Sequence, residues 1–364
     1  MRGPALLSSA CLLVCGLLVS GCRHDGGDSG SASARGTFSA LGALPGDVSS
    51  EAAGVSFDGG VVVGTSTSAA GARRAFRWSR PQGMTALGLL PGGTFSSAKA
   101  VSADGAVVTV DADQGSPAAT RAARWTVDTG LVALPPLRDS PLCAAAGASG
   151  DGRTIVGTCL LSGSEAFAWT AQSATVSLGR LGAGSSASSS ASAVSADAHV
   201  IAGAGHPVLA GAALWVDGAP MLIGGLPGDT GGVATALSTD GRAAAGASRN
   251  PQGLDRAFRW TASAGIEALD QTSASVETFA AGMSGDGRRV VGWATLASQA
   301  DTALVWIDRG VHDIADLLAP DARAVFERWS QTRARAISQD GRTIVGKGVS
   351  PDGTMQGWMV QLPD

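Results

Sequence analysis

The sequence predicts an all-β chain folded as a seven-bladed β-propeller of four-stranded antiparallel blades, with an N-terminal strand completing the last blade and closing the ring. Three observations predict it. A small-apolar-Ser-x-Asp-Gly unit recurs seven times, at Asp58, Asp104, Asp151, Asp197 (followed by Ala198 instead of Gly), Asp240, Asp286 and Asp340, with spacings of 46, 47, 46, 43, 46 and 54 residues. A Trp follows each Asp by 18 to 21 residues, at Trp78, Trp125, Trp169, Trp215, Trp260, Trp306 and Trp358. The 364 residues include 52 Gly and are 45% hydrophobic, a turn-rich composition that can still bury a core and so excludes a disordered chain.

Each unit reads as four strands. The first carries the Ser, and the Asp-Gly turn reverses the chain because both residues tolerate the positive φ of a tight hairpin. The second is an apolar run such as Val61-Val62-Val63-Gly64, with Gly six residues after the Asp in six units and Val110 in the other. The third is Ala75-Phe76-Arg77-Trp78 or Ala257-Phe258-Arg259-Trp260, and the fourth is Met84-Thr85-Ala86-Leu87-Gly88. Four short strands repeated at about this spacing are the signature of propeller blades. The residue two before each Ser is Gly or Ala, which leaves room for a large ring from the neighbouring blade, and the recurring Trp is the expected filler.

Closure is also written in the chain. A fourth-strand element, Phe38-Ser39-Ala40-Leu41-Gly42, precedes the first Asp, whereas none follows Trp358. Pairing the two ends removes the exposed sheet edges. An open solenoid of seven repeats is the alternative, and it leaves the extra N-terminal strand unexplained.

The segment before the repeats is an address. Arg2 and the apolar stretch Ala5 to Val19 have the layout of a secretory signal, too short to span a bilayer comfortably. Val19-Ser20-Gly21-Cys22 resembles a bacterial lipobox, which makes residues 1–21 a cleaved lipoprotein signal peptide and Cys22 the lipidated residue. The alternative is an ordinary signal peptide with a chance Cys. Residues 22–36 form a Gly/Ser-rich tether and 37–364 the propeller. Arg23 after Cys22, in place of an Asp that resembles an inner-membrane retention signal, favours the outer membrane or cell surface.

The unit Leu-Gly-x-Leu-Pro-Gly, Ala-x-x-Val-Ser-x-Asp-Gly, Val-Val-Gly, Ala-Phe-Arg-Trp resembles the HAF-type "probable extracellular repeat" family of bacterial surface and secreted proteins over residues 38 to 362. The position of the His in the family's His-Ala-Phe string holds Arg74, Glu165 or Arg256 here. The resemblance implies export and a propeller-like repeat domain, and it carries no catalytic residues.

Chemistry is sparse. After signal removal and lipidation only Cys143 and Cys159 remain; they flank the third Asp, and a three-residue turn at Gly150-Asp151-Gly152 places them opposite one another. A disulfide is expected in an oxidising compartment, the alternative being two separate buried thiols; closing a 15-residue loop contributes about 3 kcal/mol in the chain-entropy model. The four His have no zinc spacing, so no metal or cofactor is expected. No nucleophile elbow or phosphate-binding loop appears. The units differ from the Asp boxes of sialidases, and with Tyr 0 the Tyr-nucleophile chemistry of those enzymes is excluded. A net charge of -4 argues against nucleic acid as a partner.

Sites are expected in the variable loops that join strands two and three, and strand four to the next blade, since these share one face. They carry Asp47, Arg74, Arg121, Glu165, Asp229, Arg256 and Asp301 as candidate ligand or partner residues. An insertion at residues 320–329 predicts a short amphipathic helix with Val325 and Trp329 on its apolar face, a packing cap first and a partner site second. The functional expectation is a monomeric, lipid-anchored, non-enzymatic propeller that binds or scaffolds a protein or glycan at the envelope. The alternative is a hydrolase or lyase acting on an envelope or extracellular polymer.

Overall fold

The computed structural model describes residues 35–115, 119–182, 187–206 and 211–363. The signal segment 1–21, the expected lipidation site Cys22 and the tether as far as residue 34 lie outside the described residues. Seven separate four-stranded antiparallel sheets follow one another in sequence. Blades 1 to 6 span residues 47–86, 96–133, 142–177, 188–224, 231–268 and 275–313. Blade 7 takes three strands from residues 330–361, and its outer strand is Thr37–Gly42, with Phe38 opposite Val360 and Ala40 opposite Trp358. The first strands of successive blades touch in order, and that of blade 7 touches that of blade 1, so these strands surround an axial channel. The chain is a seven-bladed β-propeller.

The Ser-x-Asp-Gly tips hold each hairpin and join each blade to the next. In all seven, the buried Ser hydroxyl donates to the Asp Oδ1 at 2.5–2.9 Å and accepts the amide five residues on at 2.8–3.0 Å. The same carboxylate oxygen accepts the amide two residues after the Asp. These bonds hold the Asp58, Asp104, Asp151, Asp197 and Asp240 carboxyls below the usual carboxylate range, and they outweigh burial at Asp286, where burial is the largest influence and opposes the shift. The residue between Ser and Asp then reaches sideways: the amides of Phe57, Ala103, Gly150, Ala196, Thr239 and Gly285 each donate to the corresponding carbonyl of the next blade at 2.8–3.0 Å. The Asp340 amide closes the circle on the Phe57 carbonyl at 3.2 Å.

The motif Gly is required twice over. Gly105 has φ +72°, and a Cβ there would stand 2.6 Å from the Val61 side chain of the preceding blade. Blade 4 departs from the pattern, holding Ala198 at φ 64°.

The interior corrects the expected packing. Each first strand carries a β-bulge at the same place, between Ala52 and Gly54 in blade 1 and at the equivalent pairs in the other six. What approaches the small residue before the Ser is therefore backbone and not a ring: a Cβ on Gly54 would lie 3.2 Å from the Ala100 Cα and the Lys99 carbonyl of blade 2. The large rings pack instead over the second-strand Gly. Gly64, Gly157, Gly246 and Gly346 face Phe76, Phe167, Phe258 and Trp358 across the strand pair, and a Cβ would meet those rings at 2.5–2.9 Å. Blade 2 reverses the sizes, with Val110 facing Ala123.

Of the recurring Trp, only Trp215, Trp306 and Trp358 are fully buried. Trp358 occupies the slot that holds Phe in blades 1, 3 and 5, which leaves its indole N–H buried without a partner among the described residues. Cys143 lies opposite Cys159, and the two are disulfide-bonded. Beside the turn the register differs by one from the expected three-residue geometry (Ala148 opposite Ile155), and the bulge restores it before the cysteines.

A hydroxyl eight residues before the motif Asp ties five blade junctions. Ser50, Ser96, Ser189, Thr278 and Thr332 accept a third-strand amide of the preceding blade at 2.9–3.0 Å. The insertion after blade 6 secures the closing strand. Its helix Pro320–Phe326 leaves Val325 48% exposed and buries Phe326 and Trp329 against Phe38, so the inward pair is three apart, not four. Gly36 pairs with this insertion through its amide to the Leu317 carbonyl and its carbonyl to the Ala319 amide.

Left-handed backbone costs a non-Gly residue roughly 1–2 kcal/mol. Ala198→Gly is therefore expected to raise the thermal midpoint by a few degrees, and Gly105→Ala to lower it by more because of the added contact with Val61. Calorimetric melts of the two variants beside the parent check both signs.

Candidate ligand-binding channel

Of the seven charged residues expected in loops only Asp229 lies in one; Asp47, Arg74, Arg121, Glu165, Arg256 and Asp301 occupy the first or second position of strands, and all seven are engaged within the chain. Asp47 pairs with Arg74, and Asp229 pairs with Arg256 at 2.5 Å in the equivalent place four blades on, each carboxylate buried behind a Leu-Pro-Gly turn. Glu165 is held by Arg180 at 2.9 Å, Arg138 at 3.1 Å and the Ser177 hydroxyl; burial opposes its ionisation, but these partners keep its carboxyl below the usual range. Asp301 pairs with Arg333 of blade 7 at 2.6 Å, and Arg121 donates to the Ser140 carbonyl at 2.6 Å. Trp329 is buried under the closing strand. These residues sit around the ring and are engaged nearby, although Asp47 Oδ2 and Arg256 Nε are buried without a hydrogen-bond partner among the described residues.

The channel wall is where the seven repeats stop being alike. Seven residues before the motif Asp, the first strand pairs with the residue seven after it. Blades 3, 4 and 5 place small neutral pairs there: Ala144 with Thr158, Ser190 with Ala204, Val233 with Ala247. Blade 6 has Phe279 with Trp293, blade 7 Arg333 with Lys347, blade 1 Glu51 with Thr65 and blade 2 Ser97 with Asp111. The bulged residue, five before the Asp, is Lys99 in blade 2 and Arg335 in blade 7, but Ala, Ser or Thr elsewhere.

This charged half is tightly connected. Phe279 stacks on Trp293 with centroids 4.8 Å apart and planes 15° apart. The guanidinium carbons of Arg333 and Arg335 lie 5.1 and 5.6 Å from the Trp293 ring centroid. Lys347 binds Glu51 at 2.8 Å, and Lys99 binds Asp111 at 3.3 Å. Burial works against Glu51, yet Lys347, Arg335 and Arg73 hold its carboxyl below the usual range, whereas burial pushes the Asp111 carboxyl up despite Lys99. Burial, reinforced by Arg333, also lowers the Arg335 pKa against the pull of Glu51. Lys99, Arg333, Arg335 and Lys347 outnumber their carboxylate partners Glu51, Asp111 and Asp301 by one, in a chain whose net charge is -4.

Phe279 also lines a cavity of about 460 Å³ together with Val233, Thr235 and Ala247, with the Arg249–Asp255 ion pair at its edge. Among the described residues no group of three or more His, Cys, Asp or Glu is placed to hold a metal ion. Trp293 and Trp329 are the two Trp outside the repeat, and Trp293, with Phe279 and Arg335, is what repeat-based reading passed over. The available signal was the break in register, where a large or charged residue stands in a column that is otherwise small.

No protein-family model and no curated protein matches the chain. Solved structures do. An oligogalacturonate lyase from Vibrio parahaemolyticus superposes with a TM-score of 0.59 at 12% identity, covering 90% of this chain and 94% of that one. The β-propeller domain of the Trilobed protease from Pyrococcus furiosus gives 0.57 at 10%, covering 87% and 98%; that domain has an open velcro topology, whereas Thr37–Gly42 closes the ring here. TolB from Acinetobacter baumannii gives 0.50 at 12%, and this chain spans 62% of that protein while 69% of this chain is covered. The likeness is one of fold.

The rim pairs make a structural prediction. Arg256→Ala leaves the buried Asp229 carboxylate without its cation, and roughly 3–5 kcal/mol is lost when a fully buried pair is broken in this way. Because Arg256 is itself 36% exposed, the expected loss is at the low end of that range, measured by urea unfolding, with the channel residues untouched.

Proposed function

We propose that this chain is an exported, lipid-anchored binding module of the bacterial envelope, an HAF-type repeat protein attached through Cys22, which takes its ligand in the channel between blades 6 and 2 by way of blades 7 and 1. One observation carries the reading: the fold repeats seven times, yet aromatic and cationic side chains collect on one side of the channel only. A wall that served packing alone would follow the repeat. Binding is favoured over catalysis because the two channel carboxylates, Glu51 and Asp111, are each already engaged by a lysine. Propellers of this architecture include both an oligogalacturonate lyase and a TolB protein, so the fold accommodates either role. The outer membrane or cell surface is the proposed address, on the lipobox and tether.

Fractionation and capture test the two halves of this reading. Cys22→Ser is expected to move the protein from the membrane pellet to the soluble fraction; retention in the pellet after a high-salt wash contradicts the anchor. Immobilised parent protein is expected to capture envelope glycan or protein that Trp293→Ala does not. Equal capture by a folded Trp293→Ala variant contradicts the channel site.

A further inference from the structure

We propose that the channel site takes an acidic saccharide, with the ligand carboxylate on the Arg335 guanidinium and a sugar ring against Phe279. This rests on the reading of the channel as the binding site and adds the class of ligand.

Arg335 is the starting point. Its guanidinium offers five donors, yet among the described residues it has no hydrogen-bond or ion-pair partner, only the Trp293 ring at 5.6 Å. Its neighbours do not neutralise it. Arg333 repels it and is itself committed to Asp301, and Glu51 is bonded to Lys347. A half-buried cation whose nearest carboxylate, Glu51, is already bonded to Lys347 is short of counter-charge, and a planar guanidinium is matched by a carboxylate that accepts two parallel N–H bonds.

The second half of the site is mostly apolar, with the Arg249–Asp255 ion pair at its edge. Phe279, backed by Trp293, presents an aromatic wall to the cavity of about 460 Å³, and the opposite wall is made of small side chains. Across the channel, the half-buried Ser190 and Ser192 hydroxyls make no hydrogen bond to any described residue. A ligand pocket combines an apolar surface with a few polar groups that fix orientation. A phosphate ion or a simple carboxylate uses Arg335 and leaves Phe279 and the serines idle. A neutral sugar uses those and leaves Arg335 unpaired. A chain of sugars that bears a carboxylate can meet Phe279 and, past the Trp293 ring that touches both, Arg335.

Isothermal titration of the purified full-length chain with trigalacturonic acid, with its neutral galactose counterpart and with inorganic phosphate tests the proposal. The acidic trisaccharide is expected to bind, the neutral one to bind at least tenfold more weakly, and phosphate not to compete at equal concentration. Arg335→Gln and, independently, Phe279→Leu are each expected to weaken binding at least tenfold while the thermal midpoint shows the variant folded. Equal binding of the neutral sugar, or no effect of a folded Arg335→Gln, overturns the acidic class and leaves a channel site standing. Competition by phosphate at equal concentration overturns the saccharide. Absence of binding by either sugar overturns the proposal, whereas failure of the channel reading itself shows separately as undiminished envelope capture by Trp293→Ala.

Discussion

The tip of each Ser-x-Asp-Gly hairpin is the interaction on which the rest of the structure depends. It solves two problems with four residues. Inside the hairpin, a buried hydroxyl and a carboxylate satisfy the amides that a sharp reversal leaves without a strand partner. Between blades, the backbone of the same turn passes a hydrogen bond to its neighbour until the circle closes at Asp340 and Phe57. Seven sheets that share few strand bonds are thereby set at a fixed spacing, and the bulge, the inter-blade hydroxyls and the channel wall all take their position from that spacing.

Much of this was legible in the chain. Blade count, strand order and closure by Phe38 to Gly42 follow from the repeat because a recurring turn signal fixes hairpins locally. The opposition of Cys143 and Cys159 also follows, although by a route in which the turn and the bulge each shift the register by one and cancel. The bulge itself was not legible, since it arises where adjacent first strands crowd one another and no single residue type announces it. That is why backbone, not a ring, approaches Gly54 before the Ser, while each recurring Trp lies in the core between two blades and Phe76, Phe167 and Phe258 fill the slot over the second-strand Gly. The amphipathic helix shows the same limit at shorter range: Val325 is apolar and exposed because the closing strand lies on the side of Phe326.

The site shows how regularity can mislead. Charged residues near the rim invite a functional reading, yet Asp47 with Arg74 and Asp229 with Arg256 are themselves a repeated structural pair. The residues without a structural duty are those that break a column: Trp293 where other blades have Thr, Ala, Asp or Lys, and Arg335 where most have Ala, Ser or Thr. In a repeat protein the departure from the repeat is the more informative signal, because packing demands are the same in every copy and only an outside requirement differs between them.

Hydrogen exchange at the hairpin tips measures the central claim most directly. The amides of Phe57, Ala103, Gly150, Ala196, Thr239 and Gly285 lie in turns, where unbonded N–H groups exchange freely, but each donates to the next blade. These six are expected to exchange only with global unfolding, as slowly as the second-strand amides of the core. Exchange at the rate of ordinary loop amides would contradict the ring of inter-blade hydrogen bonds and the account built on it.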